Sequence, residues 1–166
     1  MMDEPISALE FETMLLARHG YLSTSRTRIP EGRLDRSAYV VLSRIELDGP
    51  MSIGQLSDAF RLDASTVNRQ TTAMMRAGLL QRIPDPDGGI ARKFRITEQG
   101  RRRLHSDRET NVNGLSQILR DWTAAEISDF VEVLARFNRD IERAEGAAWP
   151  RPLPATPAGK RAGDES

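Results

Sequence analysis

The sequence predicts a mostly α-helical protein with one small β-hairpin, on three observations. Apolar residues recur at spacings of three and four over much of the chain, the period of a helix face. Two short runs, Leu80 to Ile83 and Lys93 to Ile96, alternate apolar and polar instead, and the PDPDGG between them is dense in turn formers. Residues that open and close helices stand between the periodic segments: Asp35, Asp63, Thr97 and Thr123 as openers, Gly49 and Gly78 as stops.

Six helices follow in order. Residues 7–22 carry an irregular apolar stripe, Leu9, Phe11, Leu15 and Leu16, and STSRTRIPEGR after them reads as a loop. Asp35 opens a second helix with Ala38, Val41, Leu42 and Ile45 inward. Asp48-Gly49-Pro50 ends it, since proline cannot donate to the helical ladder. SIGQLSDAF is a third helix with Leu56, Ala59 and Phe60 inward, and RLD is a tight turn. Asp63 caps the fourth helix, its carboxylate placed to accept from first-turn N–H groups. At about 100° per residue, Val67, Thr71, Met74 and Met75 share one side of it. Ser65, Asn68, Arg69, Thr72 and Arg76 share the other, with Thr66 at its edge.

The hairpin is expected to offer Arg82, Lys93 and Arg95 on one face. Thr97 caps a fifth helix running through Trp122, and Thr123-Ala-Ala-Glu126 is a capping box announcing a sixth, whose apolar seam is Ile127, Phe130, Leu134, Phe137 and Ile141. Beyond Gly146 the chain turns to Ala, Pro, Gly and charge, the composition of a disordered tail over residues 146–166. Short helix, tight turn, helix and basic ribbon, in that order, outline a winged helix-turn-helix.

Charge is divided although the formal total is zero. Residues 61–108 hold 11 basic and 5 acidic side chains, residues 1–60 hold 6 and 9, and residues 109–166 hold 7 and 10. The positive surplus therefore surrounds the fourth helix and the hairpin, where a DNA reader needs it for phosphates. A helix entering the major groove must present short donors and acceptors with one or two arginines. Ser65, Thr66, Asn68, Arg69, Thr72 and Arg76 meet that requirement, with Arg92, Lys93 and Arg95 on the ribbon.

Other classes find little support. The chain has no cysteine, hence no disulfide, thiolate metal site or thiol switch, and the cytoplasm is the expected compartment. The charged N-terminus is neither a signal peptide nor an apolar run able to span a bilayer. His19 and His105 lack an HxxxH or cysteine companion, so no metal site is expected, and no cofactor. There is no glycine-rich phosphate loop or nucleophile elbow, so no enzyme is expected. The seam on the last helix suits either a second copy or packing within the chain. The neutral net charge and acidic hairpin tip favour an alternative, a winged-helix module that binds protein without reading DNA.

The succession LDRSAYVVL, IGQLSDAF, DASTVNRQTTAMMRAGLL, QRIPDPDGG and FRITEQG resembles the MarR (multiple antibiotic resistance regulator) family of bacterial transcription regulators, over roughly residues 7 to 144. The resemblance implies a homodimer in which the first, fifth and sixth helices interlock. It implies a double-stranded, pseudo-palindromic DNA operator, with the two recognition helices in successive major grooves and the wings toward the minor groove. Residues 1–34 and 98–145 would then be the dimerisation region and residues 35–97 the DNA-binding domain. Ser65, Thr66, Asn68, Arg69 and Thr72 match recognition-helix positions, and Lys93 and Arg95 match the wing strand. The tip departs from the family: Asp87 stands where an arginine is usual, Asp85 is close by, and Arg92 is the nearest substitute. The family's effector pocket lies where dimerisation helices meet the reading domain, and Arg18, His19 and Tyr39 are the candidates to line it for a small aromatic or amphipathic effector. Absence of cysteine excludes the peroxide-sensing thiol branch, leaving a diffusible molecule as the expected signal of a repressor.

Overall fold

Caps decide where the helices start in the computed structural model, which describes residues 4–19 and 33–152. Asp35 accepts from Ala38 N–H at 2.8 Å and begins α2 (Arg36–Asp48); Asp63 accepts from Thr66 N–H at 2.8 Å and begins α4 (Ala64–Arg76). Thr97 and Thr123 do the same for α5 (Glu98–Ile118) and α6 (Ala124–Glu145). Each such side chain satisfies a backbone donor that the first turn leaves open. Ser52 caps α3 (Ile53–Phe60) and forms a capping box with Gln55, as Thr123 does with Glu126. Gly78, at φ +72°, ends α4: Leu79 N–H returns to the Met74 carbonyl at 2.9 Å and Gly78 N–H to Met75 at 3.0 Å.

Three strands form an antiparallel sheet in the order β1 (Met51–Ser52), β3 (Lys93–Ile96), β2 (Leu80–Ile83). The expected hairpin is β2 with β3. The strand β1 was not anticipated, since two residues carry no alternation to detect. Register also corrects the hairpin's face. Gln81 opposes Arg95 and Ile83 opposes Lys93, whereas Arg82 opposes Phe94, so Arg82 lies across the sheet from Lys93 and Arg95.

Among the described residues, fourteen apolar side chains make one core, centred on Leu42, Ile45, Leu56, Phe94 and Leu104, and drawn mainly from α2, α3, α4, the sheet and the first half of α5. Thr71 is buried among them because its hydroxyl donates to the Val67 carbonyl at 2.9 Å, leaving no polar atom unpaired. Entry into α5 is tight. A Cβ on Gly100 would overlap the Leu79 carbonyl oxygen and come within 3.0 Å of Ile96 Cγ1. Glycine to alanine inside a helix ordinarily stabilises by about 1 kcal/mol, but here the obstacle is backbone. Gly100→Ala is expected to lower stability by about 1 to 3 kcal/mol in urea unfolding; a gain would mean that α5 can slide off Leu79.

The remaining helices differ from expectation at their ends. The first, α1 (Glu4–Arg18), starts before residue 7 and buries no residue; residues 20–22, and the loop expected after them as far as residue 32, lie outside the described residues. Helix α5 stops at Ile118 and not at Trp122, because the chain needs a turn before the Thr123 capping box. Leu119 to Trp122 supply it, and Trp122 then meets Phe130 edge-on at 5.6 Å. Helix α6 likewise has no buried residue. The tail expected to be unstructured from residue 146 begins with a packed segment: Trp149 lies against Phe60 and under Arg44. An aromatic ring with a cation to cover it outweighed the Pro/Ala/Gly composition around it. Residues 153–166 lie outside the described residues. None of the described helices is long and apolar enough to cross a membrane.

Candidate nucleic-acid interface

The turn between α3 and α4 is made by Arg61 in the left-handed region, φ 51° and ψ 42°, a conformation that costs a side-chain-bearing residue about 1 to 2 kcal/mol. The Ser57 hydroxyl donates to the Leu62 carbonyl across it. Helix α4 then buries Val67, Thr71 and Met74, partly buries Met75, and turns its other side to solvent. Ser65, Asn68, Arg69 and Arg76 are exposed, and Thr66 and Thr72 half-buried. All six candidates on this helix thus share one surface.

Their chemistry is sharper than their residue types suggested. Both the Ser65 and the Thr66 hydroxyls donate to the Asp63 carboxylate, Thr66 at 2.7 Å, in addition to the cap from Thr66 N–H. Those two hydroxyls and that N–H hold the Asp63 carboxyl well below the usual carboxylate range, so it stays ionised. Arg69 and Arg76 form no ion pair among the described residues.

The wing is organised around a lysine that was expected on its surface. Lys93 is only 8% exposed, and its Nζ lies 2.7 Å from Asp85 and 2.9 Å from Asp87. Its place among the DNA-facing residues is therefore corrected. The strand turns it under the tip, where it neutralises the two aspartates. Asp85 also accepts from Asp87 N–H at 3.0 Å, while Gly88 N–H closes the Asp85-Pro86-Asp87-Gly88 turn onto the Asp85 carbonyl at 3.1 Å. Gly88 sits at φ +81°, open to glycine at no steric cost. Arg82 stacks on the Phe94 ring at 5.3 Å. Arg95 is exposed beside Gln81, whose amide, with its oxygen turned to the guanidinium, accepts at 2.9 Å, and Arg92 is exposed at the tip's base.

This clamp has a defined pH window. The Lys93 ammonium, then Asp87 N–H, hold the Asp85 carboxyl below its ordinary 3.8; the Asp85 and Asp87 carboxylates hold Lys93 above its ordinary 10.5. A depressed carboxyl contributes above 3.8 and is lost as pH falls through its folded value. A raised ammonium contributes below 10.5 and is lost as pH climbs through its own. Between those limits, Lys93→Ala is expected to speed amide exchange of Asp87 and Gly88 by about tenfold or more. Unchanged exchange would show the clamp idle.

The effector candidates are not brought together. Arg18 and His19 sit exposed at the end of α1, and no hydrogen bond or ion pair joins them to Tyr39 among the described residues. Tyr39, half-buried on α2, lies instead beside Arg108 of α5, in a group that residue spacing did not single out. Glu46 accepts from Arg108 at 2.9 Å and pairs with His105 at 2.6 Å. Burial raises the Glu46 carboxyl, but hydrogen bonds from Arg108 and His105 outweigh it and hold it below its ordinary value. An open groove lined by His105, Arg108, Glu109, Val112 and Asn113 adjoins the group. The only sequence signal was the one-turn spacing of His105 and Arg108. Among the described residues no cluster could hold a metal ion.

Comparison with known proteins agrees with this architecture. The MarR family model matches residues 34–88. Over 136 residues, 81% of this chain and 94% of the relative, the sequence is 34% identical to the uncharacterized HTH-type transcriptional regulator YxaD of Bacillus subtilis (strain 168). The uncharacterized HTH-type transcriptional regulator YdgJ of the same organism is 25% identical over 95 residues, 57% of this chain and 58% of the relative. In shape the chain is similar to a MarR family protein from Bacillus stearothermophilus, with a TM-score of 0.68, 23% identity, and 85% of this chain and 99% of that one covered. The transcriptional regulator SlyA gives a TM-score of 0.63 at 20% identity, covering 82% and 95%. With a capped recognition helix, a wing and a relative matched along nearly its whole length, this chain belongs to the MarR family and is a winged helix-turn-helix transcriptional regulator.

Proposed function

We propose that the protein is a homodimeric, ligand-responsive repressor that binds a pseudo-palindromic operator, placing α4 of each copy in the major groove at half-sites about 34–36 Å apart. The observation that carries this reading is the outer face of α4, where Asn68, Arg69 and Arg76 are exposed together on a helix capped at both ends. Arg92 and Arg95 would reach the backbone beside it. In this reading residues 35–97 are the DNA-binding domain, while residues 1–34 and 98–145 carry dimerisation. Supporting the dimer are the apolar side chains that α1 and α6 leave in solvent, Ile6, Leu9 and Phe11 on one and Phe130, Val133 and Phe137 on the other. The acidic tip that favoured a protein-binding module speaks less for it once Lys93 pairs with both aspartates. A small aromatic or amphipathic effector would bind near Tyr39, and it would act only by binding two dimer conformations unequally.

Gel shifts over the promoter beside the protein's own gene, at two salt concentrations, test the reading. Affinity should fall steeply with salt as phosphate counterions are released, and Arg69→Ala should cost about 1 to 3 kcal/mol at a specific site. Failure to bind any such fragment at low salt would sink it.

A further inference from the structure

Residues 147–151 turn back onto the molecule after Gly146. Gly146, at φ +66°, ends α6, and Ala147 N–H donates to the Glu142 carbonyl at 3.0 Å, reversing the chain within one turn. The Trp149 indole then lies 5.6 Å from the Phe60 ring, with the Arg44 guanidinium 5.0 Å from its centroid. Arg44 is itself fixed, by Asp48 at 2.6 Å and the Ala148 carbonyl at 3.3 Å. Arg151 closes the loop with two guanidinium nitrogens on the Glu142 carboxylate, 2.6 and 2.9 Å, the fork geometry that arginine makes best. Trp149 N–H adds a bond to the same carboxylate at 3.2 Å.

The landing point matters. Phe60 is the last residue of α3 and Arg61 is the left-handed turn before the recognition helix; Arg61 Nη2 would lie 3.3 Å from a Cβ on Gly146. Helix α6 buries no residue of its own against the reading domain. Its C-terminal end is held there by this brace.

We propose that Trp149 is a positioning residue for DNA recognition: residues 146–151 brace the C-terminal end of α6 against the helix-turn-helix turn and so fix the separation of the two recognition helices. The inference rests on the DNA-binding dimer proposed above, and its test separates the two. The chain has no cysteine, so Asp58→Cys on α3 and Asp129→Cys on α6, both exposed positions, give a clean nitroxide pair. Full-length labelled chain is diluted into unlabelled chain so that only distances within one chain are read. A narrow distribution is expected for the parent, broadened about twofold or more by Trp149→Ala and by Arg151→Ala, with Trp149→Phe between. Circular dichroism should stay unchanged. On the genomic fragment that the parent binds, adding or removing one central base pair should weaken the parent by about fivefold or more. Trp149→Ala should lose that discrimination while keeping the salt slope. Unchanged distance widths in both variants overturn the brace, and broadened widths with spacing discrimination intact overturn the positioning role. If the parent binds no DNA, the dimeric DNA reading fails, and with it the positioning role; the distances still decide the brace.

Discussion

Phe94→Ala is expected to destabilise the protein by about 3 to 5 kcal/mol, a large share of the 5 to 15 kcal/mol typical of a folded domain. The ring is 1% exposed in the central strand of the sheet, with Met51 opposite it in β1 and Arg82 opposite it in β2. Truncation removes the transfer free energy of the ring and leaves a cavity that three hydrogen-bonded strands cannot close. It also strips Arg82 of the surface it stacks on. Urea unfolding should show a lowered midpoint with the slope unchanged, and a loss below about 1 kcal/mol would mean that the sheet is not the hub of this core.

Phe137→Asp is expected to convert the proposed dimer into single chains of 18.6 kDa at micromolar concentration. The side chain is 39% exposed on a helix none of whose residues is fully buried, amid Phe130, Val133, Leu134 and Ile141. Two-fold symmetry counts every substitution twice. Each ring has only its exposed 39% left to bury, so withdrawing two removes about 1 to 2 kcal/mol of burial, and each buried carboxylate adds a desolvation cost of about 1 to 3 kcal/mol or more. Association should therefore weaken by about a hundredfold or more. Light scattering against dilution measures it. A mass twice that of the chain at every concentration tested would place the interface elsewhere.

Much of the architecture was legible because its signals are local. Ala38, Val41, Leu42 and Ile45 announce α2 by spacing, and the structure buries all four. The caps at Asp63, Thr97 and Thr123 were readable for the same reason, a short polar side chain followed by a helical period. What escaped depends on partners distant in sequence. The strand β1 exists only because β3 passes beside it, and Lys93 is buried only because two aspartates six and eight residues earlier fold over it. The same holds for Trp149, which finds Phe60 and Arg44 about ninety and a hundred residues away and so packs where composition suggested disorder. Around the candidate site, spacing separated the buried from the exposed side of α4 but was silent on Glu46 and Arg108, whose grouping with Tyr39 needs α2 and α5 side by side.

The hydroxyls of Ser65 and Thr66 spend their protons on Asp63, and that constrains the letters an operator can carry beneath the start of α4. With their donors committed, these two oxygens are left as acceptors. In the major groove only the amino groups of cytosine and adenine offer hydrogen atoms, whereas the guanine edge is made of acceptors alone. If α4 lies in the groove as proposed, the helix start speaks to cytosine or adenine, and guanine falls to Arg69, one turn further on, whose guanidinium donates from every nitrogen.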